Sequence, residues 1–422
     1  MGEALLNFKI DGGKKLRGHI TVNTSKNGAV AILCAALLNK GTTTVKDVPK
    51  IEEVERLVEV LESIGVAVTR SGRNMTISPP KKMALQSLDH SAAIRTRSII
   101  LFIAPLLHHL RKFRLPQAGG CKLGSRTVRP HFFALETLGV TFQSKGGNLE
   151  ISHQGLLGNK TIILYEASDT ATENALLAAA GIPGVTTIKY ASANYQVQEL
   201  CFFLEKLGIR ISGIGTTTLV VHGKKSINKN VSYALSEDPI EAMFFLTAAI
   251  VTHSSIVIKR CPIEFLELEL LTLEHMGFRY RIQRRYKARN GKTNLVDIQT
   301  HTSKLHAPPE KIHARPYPGL NMDNLPFFAL IATQAKGQTL IHDWTYEKRA
   351  LYYTELDKLG ADTILADPHR LYVTGPTTLK AAELVCPPAL RPAALLLLGM
   401  LGARGISLLR NVYSINRGYE DL

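Results

Sequence analysis

Apolar positions along this chain recur in one order: a run that is apolar nearly all round, a short strand signal, a helix charged on one face, and a glycine-bounded second strand signal. Residues 29–68, AVAILCAALLNKGTTTVKDVPKIEEVERLVEVLESIGVAV, read this way, and copies begin at Ala175, Ala242 and Phe327. A further copy from Ile99 carries a longer central insert, and a sixth begins at Arg391 and stops early. The charged helices run up to Gly65, Gly139, Gly208, Gly277 and Gly360, where glycine can take the left-handed conformation that closes a helix.

Six units in 422 residues give about 70 residues each, too long for a solenoid repeat and right for a supersecondary unit of about two helices and three or four strands. The first helix of each unit must be buried on all sides, whereas the second faces solvent on one side. Helices inside and sheets outside are therefore expected, with three units closing around each of two centres. This predicts an α/β fold of two domains of similar size, built from six repeated βαβαββ-type units.

Hydrophobic residues make up 45% and charged residues 20% of the chain, which excludes disordered and low-complexity classes. The longest apolar runs, SIILFIAPLL and ALRPAALLLLGML, are shorter than the roughly 20 residues a bilayer span needs. Residues 1–7 lack the basic start and apolar run of a signal peptide. A cytoplasmic protein is expected, and five cysteines without paired or CxxC spacing fit that compartment and indicate no zinc site. The net charge of +16 is compatible with nucleic acid, an anionic surface or phosphorylated small molecules. No zinc-finger, RNP or basic-zipper pattern favours the first. The basic stretch RYRIQRRYKAR, 279–289, reads either as a solvated strand pair or as a polyanion patch.

Candidate chemistry gathers at the unit junctions. The segment TVNTSKNGAV puts Ser25, Lys26 and Asn27 at a strand-to-helix junction, where free N–H groups and a lysine make an anion cradle; an ordinary N-cap is the competing reading. The insert from Arg111 to Leu135 contains Arg111, Lys112, Arg114, Lys122, Arg126 and Arg129 and no acid until Glu136. Its three glycines make it pliable, as a lid would be. Cys121 sits within it beside Lys122, and nearby cations lower a thiol pKa toward neutrality, giving a residue that can attack as the thiolate or donate a proton as the thiol near neutral pH; a chance surface cysteine is the alternative. Arg95 and Arg97, Asp323, Arg349, Arg391 and Arg417 lie at further junctions. Each alone reads as a cap or a surface pair. Together, if the unit edges face one interdomain cleft, they form a cationic cavity with a single carboxylate, suited to two phosphorylated substrates and one base. No P-loop, GxGxxG, HExxH or GxSxG stretch is present.

At SKNGAV, GGCKLGSR, ATENALLAA, YPGLNMDN and RGYE the chain resembles the UDP-N-acetylglucosamine 1-carboxyvinyltransferases, the enolpyruvyl transferases of the first committed step of peptidoglycan synthesis. The resemblance spans essentially the whole chain. It implies an inside-out α/β barrel in each of two domains, 26–235 and 1–25 with 236–422. It also implies transfer of the enolpyruvyl group from phosphoenolpyruvate to the 3-hydroxyl of UDP-N-acetylglucosamine with release of phosphate, in the service of cell-wall biogenesis, cell shape and division. Carried over by position, Lys26, Asn27, Arg126 and Arg417 would bind phosphoenolpyruvate. Cys121 would protonate its C3 methylene and Asp323 would take the acceptor hydroxyl's proton. Arg97, Thr127, Val128, Ser168, Asp169 and Thr345 would join Asp323 around the sugar nucleotide, with Arg349 and Arg391 in support. The resemblance implies no cofactor, no metal, no nucleic acid, no membrane and a monomer.

The chain departs from the family pattern mainly on the nucleotide side. Arg129 stands in place of an acid, Glu166 in place of a lysine, Pro239 in place of an arginine and Ala389 in place of an aspartate. These departures keep open a different nucleotide or sugar acceptor, or a catalytically silent paralogue. The last unit is expected to be incomplete, leaving one sheet edge and one face of an apolar helix uncovered.

Overall fold

The computed structural model describes residues 6–116 and 127–422. Cys121 and Arg126 lie outside the described residues. The chain divides into two compact units, one of residues 24–116 and 127–236 and the other of residues 6–23 and 237–422.

The first unit carries three sheets among its described residues. Strand Thr43–Lys46 is central to one, Gly184–Lys189 to another and Lys112–Pro116 is an edge of the third. Each of these three strands runs antiparallel to the return strand of a following hairpin. The apolar helices that precede them are buried as the all-round pattern requires: in helix Lys26–Ala35 every residue from Gly28 to Ala35 is buried, and in helix Asp169–Ala180 every residue from Ala171 onward. The expected helix at Ile99 forms as a 3-10 turn, Arg97–Phe102, running into a short α-helix, Ile103–Leu107. Pro105 falls inside this apolar run, where it lacks the N–H that a longer continuous helix would use.

The second unit repeats the scheme. Helices Pro239–Val251, Leu325–Ala332 and Leu390–Gly402 precede strands Val257–Pro262, Ala335–His342 and Gly405–Arg410. All eight residues of Leu325–Ala332 are buried. The five glycines after the second helices take φ values from +85 to +92°, the left-handed closure the sequence predicts. The charged helix of the fifth unit forms as a 3-10 helix, Arg349–Leu359, entered through a left-handed Lys348. The stretch 279–289 is mainly strand Arg279–Lys287, an exposed sheet edge paired on one side with Asn294–His301. Its charges protect that edge from pairing with another chain.

The sixth unit differs from the expectation in part. The unit is shorter, as expected, with a three-stranded sheet and only the four-residue helix Tyr413–Asn416 after it, but its return strand comes from the other end of the chain: strand Phe8–Gly12 runs antiparallel to Gly405–Arg410, with Phe8 opposite Leu409 and Gly12 opposite Gly405. That is the place a hairpin return strand takes in the other five. Gly12 is required there, because a Cβ would meet the carbonyl oxygens of Met400 and Ala403 at 2.1 and 2.4 Å. Ten residues of helix Leu390–Gly402 are buried, so its apolar face is covered. Among the described residues no helix is long and apolar enough to cross a membrane.

Candidate active site

In the first unit, Ser25 caps helix Lys26–Ala35: its Oγ accepts the Gly28 N–H at 3.0 Å. No acidic residue lies in the first turn, so the positive end of the helix is reinforced by Lys26 rather than cancelled. Lys26 Nζ donates to Asn27 Oδ1 at 3.1 Å, and Asn27 Nδ2 donates to Tyr195 Oη and Gln196 Oε1 at 3.0 and 2.9 Å. Gln196 Nε2 in turn donates to Glu173 Oε1 at 2.9 Å. Burial pushes the Glu173 carboxyl up to about 8, although the Gln196 bond and the Lys26 charge pull the other way. At neutral pH it is therefore mainly protonated and adds little negative charge beneath Lys26. Gly28 is sterically specified: a Cβ would lie 2.1 Å from Glu199 Oε2.

The same unit brings Arg97, Thr127 and Val128 together. Arg97 Nη2 donates to the Thr127 carbonyl at 3.4 Å, Thr127 Oγ1 accepts the Arg129 N–H at 3.1 Å, and Val128 leads into helix Arg129–Glu136. Arg129 lies over the Phe133 ring, 5.7 Å from its centroid. His131, which the sequence reading missed, is buried in hydrogen-bond contact with Asn174 Nδ2 at 2.8 Å and Thr170 Oγ1 at 3.2 Å. Burial and the Arg97 charge lower it to about 3, so it is neutral. Ser168 serves as the N-cap of helix Asp169–Ala180, and Asp169 accepts from Asn194 Nδ2 at 3.0 Å and from the Ser192 hydroxyl.

In the second unit, Asp323 stands two residues before helix Leu325–Ala332. Arg391 donates to its Oδ2 through Nε at 3.1 Å and Nη2 at 3.0 Å, while Arg391 Nη1 donates to Tyr419 Oη at 3.0 Å. The Tyr419 ring rests against Phe244, with centroids 5.0 Å apart, and burial raises its phenol above the ordinary range. Arg417 is half-buried just after the short helix Tyr413–Asn416. Thr345 is half-buried in the turn after strand Ala335–His342.

Arg349 is placed differently from its expected neighbours. It is fully buried, pairs through Nε and Nη2 with the Asp343 carboxylate and donates through Nη2 to the Met322 carbonyl at 2.8 Å. Tyr353 Oη also donates to Asp343. Arg349 thus fastens the residue next to Asp323 from inside the fold. A fully buried arginine was not legible as such in TYEKRALYY; its partner Asp343 lies six residues earlier, at the end of a strand.

The described cysteines, Cys34, Cys201, Cys261 and Cys386, are all buried. Burial pushes every one of these thiols up, Cys386 to about 12, so they are poor nucleophiles and poor acids near neutral pH. Among the described residues no group of three or more His, Cys, Asp or Glu is arranged to hold a metal ion.

A lysine at a positive helix start and an arginine-held carboxylate are parts expected of a group-transfer enzyme for anionic substrates. The sequence model of the family described as EPSP synthase (3-phosphoshikimate 1-carboxyvinyltransferase) matches residues 10–422. The chain belongs to this family of carboxyvinyltransferases. It is 33% identical over 425 residues to a protein of Bradyrhizobium diazoefficiens named UDP-N-acetylglucosamine 1-carboxyvinyltransferase, covering 99% of this chain and 95% of the relative. A protein of the same name from Treponema denticola is 33% identical over 418 residues, covering 98% and 96%. Among solved structures, the enolpyruvyl transferase NikO from Streptomyces tendae superposes with a TM-score of 0.84 at 24% identity, covering 98% of this chain and 95% of that one. EPSP synthase from Acinetobacter baumannii superposes at 0.73 with 18% identity, covering 98% and 96%. These two likenesses show the fold.

Proposed function

We propose that this chain transfers the enolpyruvyl group of phosphoenolpyruvate to the 3-hydroxyl of UDP-N-acetylglucosamine and releases phosphate, as a cytoplasmic monomer serving peptidoglycan synthesis. The observation that carries this reading is the 33% identity, over 99% of the chain, to a relative of that name. The fold read alongside it is an inside-out α/β barrel in each domain, three repeated units apiece, with bounds 26–235 and 1–25 with 236–422.

Each unit supplies part of the chemistry. Lys26 and Asn27 bind phosphoenolpyruvate at the positive helix start, with Arg126 and Arg417 on its anionic groups. Cys121 delivers a proton to C3, and Asp323 takes the proton of the attacking hydroxyl as the C–O bond forms at C2. Loss of phosphate and of one C3 proton restores the double bond in the product. Arg97, Thr127, Val128, Ser168, Asp169 and Thr345 orient the sugar nucleotide. Arg391 and Arg349 support Asp323, one through its carboxylate and one through the neighbouring carbonyl.

A second reading keeps the reaction and changes the acceptor. It is favoured by Arg129 and Glu166, both exposed, which reverse the charge that the family pattern carries on the nucleotide side. Phosphate release from phosphoenolpyruvate, measured with a panel of UDP-sugars, tests both. Turnover with UDP-N-acetylglucosamine above every other sugar is expected; turnover with another sugar alone would select the second reading, and none with any would overturn both.

A further inference from the structure

Asp323 is held at its carboxylate by Arg391, but a carboxylate tethered at one end still swings with its backbone. The loop on both sides, by a backbone N–H before Asp323 and a side-chain amide after it, is fastened by one buried residue that faces no substrate in any role given above. Glu269, in helix Glu267–His275, is 2% exposed. Its Oε1 accepts the Asn321 N–H at 2.9 Å and Asn324 Nδ2 at 2.9 Å. Asn321 Oδ1 in turn accepts the Asp323 N–H at 2.9 Å. One carboxylate oxygen therefore binds the residue two before Asp323 and the residue directly after it.

We propose that Glu269 is a positioning residue for Asp323, fixing the Asn321–Asn324 loop so that the carboxylate points where the acceptor hydroxyl's proton must be taken. The proposal rests on the role given to Asp323 above. Asn324 makes the arrangement hard to read as mere packing. It is wholly buried, its Oδ1 has no partner, and a leucine would fill the same space without leaving a polar atom unpaired. The bond that its amide does make is the one to Glu269. Both donors are N–H groups, so the loop needs an accepting oxygen at this point. Glutamine can supply that oxygen and leucine cannot.

The experiment compares the full-length wild type with Glu269→Gln and Glu269→Leu by two readouts. The first is hydrogen exchange of the peptide spanning 321–324, which requires no activity. The second is steady-state phosphate release with phosphoenolpyruvate and UDP-N-acetylglucosamine. For Glu269→Leu, exchange protection is expected to fall in that peptide, and kcat to drop about 10- to 100-fold with both KM values within about twofold, the signature of a misplaced catalytic group. Glu269→Gln should keep both readouts within about threefold of wild type, because its oxygen still accepts. Unchanged protection in Glu269→Leu, or a Glu269→Gln variant as impaired as Glu269→Leu, would overturn the proposal. If Glu269→Leu does not fold, Asn324→Leu removes one of the two bonds from the other side; protection of 321–324 and kcat are then expected to fall in the same direction by less, and unchanged protection would overturn the proposal. A wild type without turnover would defeat the functional reading alone, and the exchange readout would still decide whether Glu269 fixes the loop.

Discussion

Lys26 and Asp323 both stand at or just before the start of an apolar helix that is buried almost throughout, yet the two corners are built on opposite principles. Beneath Lys26 and Asn27 the chain of contacts ends on Glu173, a carboxyl that burial keeps largely protonated. Around Asp323 the supports include charged arginines: Arg391 on the carboxylate and Arg349, itself held by Asp343, on the adjacent carbonyl. For the anion-binding role proposed for Lys26, a neutral floor is the favourable one, because ionising Glu173 would oppose an anionic ligand. For the base proposed at Asp323, cations that hold and orient the carboxylate are the favourable support. The difference predicts that the first corner responds to pH and the second to loss of a single charge.

The largest effect is expected where a proton is moved. Asp323→Ala should lower kcat by about 10²- to 10⁴-fold, and Cys121→Ser should fall at least as far because a hydroxyl is too weak an acid; phosphate release measures both. Next comes the support of Asp323. Arg349→Ala leaves Asp343 buried without its partner and should destabilise the protein by about 3–5 kcal/mol, read as a lowered urea midpoint. Asp323→Ala, whose side chain is less buried, should shift that midpoint much less.

The smallest and most specific effect concerns the neutral floor. Glu173 holds its proton in the folded chain up to about 8, against an ordinary value of 4.5. Between those values the folded state binds the proton and the unfolded state does not, so stability falls as pH rises, at most by about 1.4 kcal/mol per unit. Glu173→Gln lacks this slope. Its stability relative to wild type is expected to improve steadily between about pH 5 and pH 8, measured by denaturant titration at several pH values. A constant difference would mean that Glu173 is ionised throughout and that the contrast between the corners is mistaken.

What could be read in advance follows the range of the signals. The all-round apolar helices and the glycines that close the charged ones were legible because each is a local pattern, and Ser25, Lys26 and Asn27 were legible because a cap lies beside the helix it starts. Glu173 was visible only as a charge in the apolar run ATENALLAA, with nothing in the sequence to say that Gln196 would meet it. Glu269 and Asn324 lie 55 residues apart, and Arg391 and Asp323 lie 68 apart. No periodicity encodes such pairs. The same limit explains the sixth unit, which looked barer than it is because the strand that fills its return position lies at the far end of the sequence.

That strand also sets the order in which the molecule can come into being. Every strand of the Lys26 unit lies before Glu237, so its sheets can close while the rest of the chain is still being synthesised. The Asp323 unit is the reverse: His19–Thr21 must wait for Val257–Lys259, and Phe8–Gly12 must wait for Gly405–Leu409. Contacts of such sequence separation form late and slowly. Throughout that wait, residues 8–21 remain an unpaired segment, and its Lys9, Lys14, Lys15 and Arg17 give it the charge that keeps a waiting strand in solution. The unit that carries Asp323 is therefore a late arrival, its last sheet closing only after Gly405–Leu409 has been made.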